Sequence, residues 1–537
     1  MAAEEPTGLR RNAGLRFEQL KGGLFEALLI GATLVGILSL LVLFGYLAFD
    51  AFRPLTASAG WYLLYFGTLV APSAAFTLYA RRRPAVRAAN ARAFAVVFGC
   101  LAVGLLIYVV VNSLSPYDVL IYVLFGAVPP VLVRLYGRET DSRLTGPAIP
   151  VSIVLGLALA AGLYGVLRPL VGWAARWVAY TGIVTLPVAA ILGAITTRRR
   201  SRRAGALVAA AVLGVTLAVA VGALATGRDP SLWVVLTSAF VLPVGYVVGE
   251  TALTEEEGRT GLIGPFVVIG GVLLGAVLAR RLGIQGPEGF LTPTLLLNSW
   301  DGLTASNAGV YPQIVGSIVI VGFMSIMAFP VGIGAAVYLE EYAPKTGPLG
   351  RLATLLEVNI SNLAGVPSVV YGLLGLALFR NTLGFGTGVV IAAAGTLGFL
   401  ILPIVVVSTQ EAIRAVPNSL REASYGMGAS RWQVLRGVVL PRAVPGVLTG
   451  TILSLARAIG ETAPLVIIAV ATTTYTPPSG LFSSATALPL QIFAARSNVD
   501  VAFRHGIVPA AAVVLLALML VMNASAVVVR NRFEREH

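Results

Sequence analysis

The sequence predicts an all-α polytopic membrane protein. Of its 537 residues, 57% are hydrophobic and only 12% are charged, and the mean hydropathy is +0.87. A soluble domain carries about a quarter charged residues. The apolar residues also come in long runs, and about 20 residues at 1.5 Å each let an α-helix cross a hydrocarbon core about 30 Å thick. Membrane-crossing helices are therefore the units from which this chain is built.

Fourteen such helices are predicted along the chain. The first follows a basic start like that of a secretory signal, but its apolar run is too long and no small-residue cleavage site follows, so we interpret it as a retained helix. The predicted spans are 24–49, 58–80, 93–113, 117–134, 147–167, 177–196, 204–226, 231–252, 260–280, 313–339, 352–379, 386–410, 443–472 and 506–529.

Basic residues predict which helix ends face the cytoplasm. Lys and Arg collect in cytoplasmic loops. If the N-terminus is inside, the basic segments 81–92, 134–143 and 198–203 and the C-terminal RNRFEREH all fall on that side. We therefore predict a plasma-membrane protein with both termini cytoplasmic, although Arg280 and Arg281 fall outside and make the ninth span the least regular. These loops account for the net charge of +14, so nucleic acid is not indicated as a partner.

The first eight spans, within residues 1–255, carry no ionisable residue near a predicted midpoint. Charges inside a membrane mark transport or relay sites, so we do not expect a permeation site in this half. A scaffold or lateral docking surface is the simplest interpretation, and a regulatory or partner-binding role is the alternative. The single cysteine, Cys100, has no disulfide partner and is interpreted as a small core residue.

The segment REASYGMGASRWQVLRGVVLPRAVPG, residues 421–446, interrupts the lipid-like pattern with arginines and a glutamate. Its apolar residues recur at helical spacing, which is typical of an amphipathic helix lying on lipid or of a helix laid into a partner's groove. Gly428 permits a sharp turn between two helices, and Pro441 can begin the next helix. Two rigid helices joined to a spanning helix can carry a movement into the membrane. The proposed partner contacts are Tyr425, Met427 and Trp432.

The order of residues decides between these two interpretations. Glu422-Ala423-Ser424, then Gly428, then Val438-x-Leu440-Pro441 resemble the EAA coupling motif of ABC importer permeases, although Ser424 and Val438 stand where alanine and isoleucine are usual. The resemblance implies two short cytoplasmic helices that dock on a separate ATPase, in a type I permease with a six-helix core. The residues it assigns to coupling, within a loop at about 411–441, are Glu422, Ala423, Gly428, Trp432, Leu440 and Pro441.

More of the second half is similar to one family. The segments AFPVGIGAAVYLEEYAP (328–344), NISNLAGVPSVVYGLLGLALF (359–379) and LARAIGETAPL (455–465), together with the coupling loop, resemble the PstA-type permease subunit of the phosphate-specific ABC importer. The GETAP form fits this subunit rather than its PstC-type partner. We therefore expect residues 256–537 to form the permease and residues 1–255 to be an additional membrane extension of about eight spans.

The resemblance implies uptake of inorganic phosphate and a set of partners. These are a PstC-type second permease, a dimer of PstB-type ATPases, and an external PstS-type phosphate-binding protein that docks on loops near 281–312 and 473–505. ATP and magnesium are expected in the ATPase, because neither Lys21 nor Lys345 completes the GK pair of a phosphate-binding Walker loop.

No catalytic or metal-binding set is recognisable, so the chain is predicted to be non-enzymatic and to bind no cofactor itself. The alternatives are a permease for sulfate, molybdate or phosphonate, and a membrane scaffold or sensor built on a permease core.

Two charges in the thirteenth span are the main candidates for the substrate pathway. Arg457 and Glu461 are four residues apart, so they share a helix face and can pair. Arg457 lies about 24 Å along the helix from Pro441, and it would be costly facing lipid. The pair is either a buried ion pair that locks helix packing or a transient anion site whose charge Glu461 balances when the site is empty; the resemblance favours the second. Pro464 is expected to end or kink the helix.

Asn362 and Ser368 are weaker candidates for the same pathway. They flank Pro367, which is expected to break its helix, and broken helices expose N–H groups that can line a path for an oxyanion. The small residues Gly365 and Ser368 suit close helix packing equally well.

Overall fold

The computed structural model describes residues 7–140, 145–344 and 346–536. These residues are almost entirely helical, and the β pairing among them is limited to two isolated bridges, Val389 with Ser484 and Ala471 with Thr486. Twelve helices are long and apolar enough to span a membrane, and two bent helix pairs raise the number to fourteen if each pair is one span. The predicted all-α polytopic fold is confirmed.

The helices follow the predicted spans closely. The first nine are α1 (Thr7–Phe52), α2 (Ala59–Arg81), α3 (Pro84–Ser113), α4 (Pro116–Thr140), α5 (Thr145–Gly172), α6 (Arg176–Arg199), α7 (Arg202–Ala225), α8 (Pro230–Thr254) and α9 (Arg259–Leu282). The others are α10 (Tyr311–Tyr342), α11 (Gly347–Ala364), α12 (Ser368–Thr382), α13 (Val390–Arg414), α14 (Asn418–Gly426), α15 (Arg431–Gly460), α16 (Leu488–Ala495) and α17 (Val508–Glu536).

The predicted span 352–379 is bent rather than straight. Helices α11 and α12 meet at an angle of 109°. The break lies at Pro367, which has no N–H for the helical ladder and disfavours helical backbone in the residue before it. The break agrees with the prediction that Pro367 breaks this helix.

The predicted span 443–472 begins and ends too late. Helix α15 already starts at Arg431, and it ends at Gly460, after which Glu461 has an extended backbone. A separate short helix, Ala463–Ile467, has Pro464 in its first turn. Pro464 therefore begins a helix instead of ending one, which suits a residue whose missing N–H would be unpaired at that position.

The densest core of the described chain surrounds α13. Leu397, Ile401 and Val405 are buried on this helix, which packs between α10 and α15. Helix α1 is the opposite case, because it exposes nearly all its apolar side chains between Leu24 and Phe49. Lipid or another chain must cover that surface, since so large an apolar area is not stable in water.

Helices α1 and α9 pack against helices that are distant from them in the sequence. Helix α1 lies against α17 at the other end of the chain, and α9 lies against α2 and α3. Ala51, at the end of α1, is buried in a cluster with Leu488 and Phe503. Packing therefore crosses the predicted boundary near residue 255 in both directions.

Candidate functional site

The segment that resembles a coupling loop folds into two helices separated by a glycine. Helix α14 ends at Gly426, and Gly428 has a φ of +81°, a conformation that residues with a side chain rarely adopt. Ser430 then caps α15, because its hydroxyl accepts the N–H of Gln433 while the Gln433 side chain accepts the N–H of Ser430 at 2.8 Å. The turn thus lies at the glycine indicated by the sequence.

Pro441 lies in the first turn of the α-helical segment Leu440–Gly460, as predicted, but this segment does not start a separate helix. It follows a π-turn at Leu435–Val439 within α15, which runs on from Arg431 to Gly460. Both Leu440 and Pro441 are half-buried there. The short helix after the glycine and the membrane-spanning helix are therefore one element, so a movement at its exposed end passes into the membrane without an intervening joint.

One side of this two-helix segment is anchored and the other is open. Val434 and Leu435 are buried in a cluster with Ile413 at the end of α13. The opposite side exposes large apolar groups together with Glu422 and Ala423. The exposed fractions are 43% for Tyr425, 83% for Met427 and 57% for Trp432. An aromatic and a methionine left open beside charged residues are typical of a protein-docking surface. We call Tyr425, Met427 and Trp432 the docking patch.

Ion pairs hold the segment against the preceding helices, and the sequence did not suggest them. Arg421 pairs with Glu341 at the end of α10 and also donates to the carbonyl oxygen of Ile413 at 2.7 Å. Arg414 contacts Glu340 at 2.6 Å and also pairs with Glu357 of α11. The adjacent glutamates of YLEEYAP were the one available signal, since acidic residues at a helix end need a partner when the end is buried.

Loss of Arg421 is expected to loosen the coupling segment. The Arg421→Ala variant leaves the Glu341 carboxylate without its partner in a site where both side chains are less than one-fifth exposed, and breaking such a pair costs roughly 3–5 kcal/mol. We expect a lower melting temperature in detergent and weaker ATPase binding. Arg436→Ala, at an exposed arginine nearby, is the matched control. Equal melting temperatures for the two variants would contradict the anchoring role.

Arg457 and Glu461 are brought together as predicted. Arg457 Nε lies 3.3 Å from Glu461 Oε1. Glu461 is not on the same helix face, however, because α15 ends at Gly460 and Glu461 is its C-terminal cap residue. The Glu461 side chain is 18% exposed and that of Arg457 is 44% exposed. Arg457 is therefore paired with Glu461 and still exposed, since nearly half of its side-chain surface is open on this chain.

Packing between α13 and α15 gives the depth of this arginine. Gly446 lies directly on Ala412 and Gly450 on Ser408, so the two helices run antiparallel. Arg457, seven residues beyond Gly450, is then level with Ile401, which is near the middle of the spanning helix α13 (Val390–Arg414). Arg457 thus opens onto the surface of this chain at the level of the middle of α13.

Asn362 and Ser368 lie on either side of the bend, and within the part of the chain that the structure describes no hydrogen bond links either side chain to Arg457. Asn362 is exposed near the end of α11, and Ser368 is half-buried at the start of α12. Gly372 packs on Pro464, which places α12 beside the segment that follows Glu461. The bend and the charged pair are therefore neighbours, although the two polar side chains do not join the pair directly. Among the described residues no group of three His, Cys, Asp or Glu side chains could hold a metal ion.

Comparison with known proteins gives a consistent result for the second half. Residues 328–535 match the family described as "Binding-protein-dependent transport system inner membrane component". The chain is 33% identical over 233 residues to the probable ABC transporter permease protein YqgI of Bacillus subtilis, an alignment that covers 41% of this chain and 78% of the relative.

Two further similarities differ in strength. The phosphate transport system permease protein PstA 1 of Mycobacterium tuberculosis is 42% identical over 160 residues, which cover 30% of this chain and 51% of the relative. The chain thus spans about half the length of the PstA proteins it matches. An inward-facing structure of the MetNI methionine ABC transporter has a TM-score of 0.32 at 20% identity, covering 42% of this chain and 94% of that chain.

Proposed function

The chain belongs to the family of inner membrane components of binding-protein-dependent transport systems, and from this premise we propose that it is the PstA-type permease subunit of an ATP-driven importer of inorganic phosphate. It is a multi-pass membrane protein and an ABC transporter permease. The proposal concerns its substrate, its partners and the roles of individual residues.

The position and exposure of Arg457 are the main support for an anionic substrate. A charged side chain in the hydrocarbon is costly, and such residues face a bundle interior or a water-filled path. Arg457 is at mid-membrane and nearly half exposed on this chain alone, so we assign its open side to a pathway shared with a second permease chain. A guanidinium presents a fork of N–H donors that matches phosphate oxygens. Glu461 would balance its charge between substrates.

The docking patch supports a separate ATPase as the source of energy. Its three side chains are exposed on a segment whose other side is anchored by buried apolar residues and ion pairs. A rigid element with an exposed apolar end suits a cleft on a partner. We assign that cleft to a PstB-type ATPase dimer, which would supply ATP and magnesium, and Glu422 and Ala423 would lie at its edge. The chain itself is then a transport subunit and not an enzyme.

The outer loops suggest where the phosphate-binding protein would dock. The predicted docking loops near 281–312 and 473–505 lie between α9 and α10 and between α15 and α17, at the end opposite the coupling segment. Leu303 in the first loop and Val499, just after α16, are each more than nine-tenths exposed. In this arrangement both termini lie in the cytoplasm of a cell whose plasma membrane holds the complex.

Competition between anions tests the substrate. Arg457 by itself does not distinguish phosphate from sulfate, molybdate or phosphonate, and the permeases named PstA are what favours phosphate. Uptake of labelled phosphate by the reconstituted complex is expected to fall with excess unlabelled phosphate and to persist with the other three anions. Stronger competition by one of those anions than by phosphate would reassign the permease to that anion.

A further inference from the structure

The first helix is packed as part of the permease half. Helix α1 lies along α17, the last helix of the chain. Asp50 is 3.7 Å from His505 at the start of that helix, and Ala51 is buried with Leu295 and Phe503. These partners all belong to the second half of the chain. The first span of the predicted extension is thus built into the core that follows the extension.

The segment that follows α1 and the segment that precedes α10 lie side by side, so the chain leaves the core and returns to it at one place. The Ser58 N–H and hydroxyl both donate to the carbonyl oxygen of Gln285, at 3.2 and 3.0 Å. The Phe290 N–H donates to the carbonyl oxygen of Ala51 at 2.9 Å, and the Arg53 guanidinium lies 4.6 Å from the centre of the Phe290 ring. Residues 51–58 therefore run beside 285–290. We call this pairing the seam.

The residues enclosed by the seam repeat one helical hairpin four times. The hairpins are α2–α3, α4–α5, α6–α7 and α8–α9, which begin at residues 59, 116, 176 and 230. The first helix of each carries a small residue and, four or five positions later, a proline. These residues are Gly67 and Pro72, Gly126 and Pro130, Gly182 and Pro187, and Ser238 and Pro243. In three hairpins a π-turn precedes the proline, at Phe66–Val70, Thr181–Thr185 and Thr237–Val241.

The four hairpins pack on each other. Gly271 and Gly275 of the last hairpin lie directly on Thr68 of the first. The Thr185 and Ser238 hydroxyls, 2.8 Å apart and buried, join the third hairpin to the fourth. Small residues and hydroxyls at such positions are the usual means of helix association in lipid. The first and last hairpins are thus in contact, although they are the farthest apart in the sequence.

The charges of the turns that join the two helices of each hairpin support the same grouping. Three of these turns are basic, whereas the turn of the fourth hairpin, TEEEGR, is acidic. Glu255 of this acidic turn accepts two hydrogen bonds from Arg92 of the first hairpin, at 2.8 and 2.5 Å, and Glu250 accepts one from Arg199 of the third at 2.8 Å. The hydrogen bonds from Arg92 hold the pKa of Glu255 below its usual range. The one acidic turn therefore pairs with its basic counterparts.

Contact between this set and the core is narrow. Within the described residues it consists chiefly of α3 against α10, with Val109 and Leu114 packed on the core around α13. This contact lies on α10, whereas Arg457 and the docking patch lie on α15 and α14. The pathway face and the ATPase face are thus left open by the hairpins.

We infer that residues 58–285 are a separable membrane unit of four repeated hairpins, inserted into the outer loop between the first two spans of a six-span permease, and that the transport step does not require it. The six core spans are α1, α10, the α11–α12 pair, α13, α15 and α17. This division differs from a boundary near residue 255, because α1 joins the core and α9 joins the inserted unit. The statement about transport rests on the proposed function, whereas the division of the chain does not.

Cysteine crosslinking of the full chain tests the seam. In a Cys100→Ala background, Ser58→Cys with Gln285→Cys is expected to form a disulfide without loss of expression, because the two backbones are hydrogen-bonded neighbours. Ser58→Cys with Ser201→Cys, whose second site is at the opposite end of α6, is the control and should stay reduced. Equal crosslinking of both pairs, or of neither, would overturn the inserted arrangement.

Removal of residues 58–285 tests whether transport requires the inserted unit. A chain in which Ala57 is joined to Gly286 is expected to insert, to co-purify with its transport partners and to take up phosphate within about twofold of the intact chain, as separable insertions allow. Deletion of residues 1–255 removes α1 and should abolish assembly. An excised chain that fails to assemble or transport while the intact chain does both would overturn the inference. If the intact chain itself moves no phosphate, the proposed function fails, and assembly and crosslinking still decide the division.

Discussion

Replacing Arg457 with glutamine is expected to lower ATP-driven phosphate uptake by about 10- to 100-fold. A hydrogen bond to a charged group contributes roughly 1.5–3 kcal/mol, and each 1.4 kcal/mol is a factor of ten. Glutamine keeps a polar side chain of similar length but removes the charge that would attract an anion at mid-membrane. The measurement is the initial rate of labelled phosphate uptake into proteoliposomes that contain equal amounts of assembled complex.

The control for this variant is Arg202→Gln, which removes an exposed arginine from the inner turn of the third hairpin. It should leave uptake unchanged. Co-purification of the partners separates a pathway role for Arg457 from a packing role. Wild-type uptake by Arg457→Gln would reassign the Arg457–Glu461 pair to helix packing, and lost assembly would do the same.

Replacing Trp432 with alanine is expected to weaken ATPase binding by about 30-fold while leaving the melting temperature of the isolated chain unchanged. Exposed tryptophans that become buried in a partner are frequent binding hot spots, with losses of roughly 2 kcal/mol or more on truncation. Trp432 is 57% exposed on this chain, so its removal leaves no internal cavity. Affinity for the ATPase, measured with the chain in detergent or nanodiscs, is the readout.

Trp173→Ala is the matched control, because Trp173 is 85% exposed at the end of α5, far from the docking patch. ATPase affinity should not change in this variant. If Trp432→Ala binds the ATPase as tightly as Trp173→Ala, the docking patch is not the coupling surface. A lowered melting temperature in Trp432→Ala would instead mean that the side chain stabilises the fold.

Local patterns in the sequence were sufficient for the spans, the glycine turn and the pairing of Arg457 with Glu461. Each depends on residues within one or two helical turns, where periodicity and spacing act directly. The end of α15 at Gly460 was missed because the apolar run continues past it to residue 471. Helix ends in a membrane depend on packing as much as on composition.

The remaining features join residues that are distant in sequence. Arg421 and Glu341 are 80 positions apart, and Ser58 and Gln285 are 227 apart. Neither pairing has a local signature, so three-dimensional packing was needed to find it. The resemblance to PstA-type permeases placed the permease at 256–537, which makes α9 its first span. The packing of α1 on α17 was not predicted, because an apolar span carries no mark of which helices it will contact.

Phosphate uptake by the reconstituted complex tests the central claim most directly. Proteoliposomes would contain this chain with its second permease and ATPase, and an external phosphate-binding protein would be added. We predict uptake that requires ATP hydrolysis and the binding protein, and that is lost when Glu422→Lys is combined with deletion of Gly428, since both alter the coupling segment. Uptake that survives that double change, or a complete complex that moves no phosphate with ATP, would contradict the account.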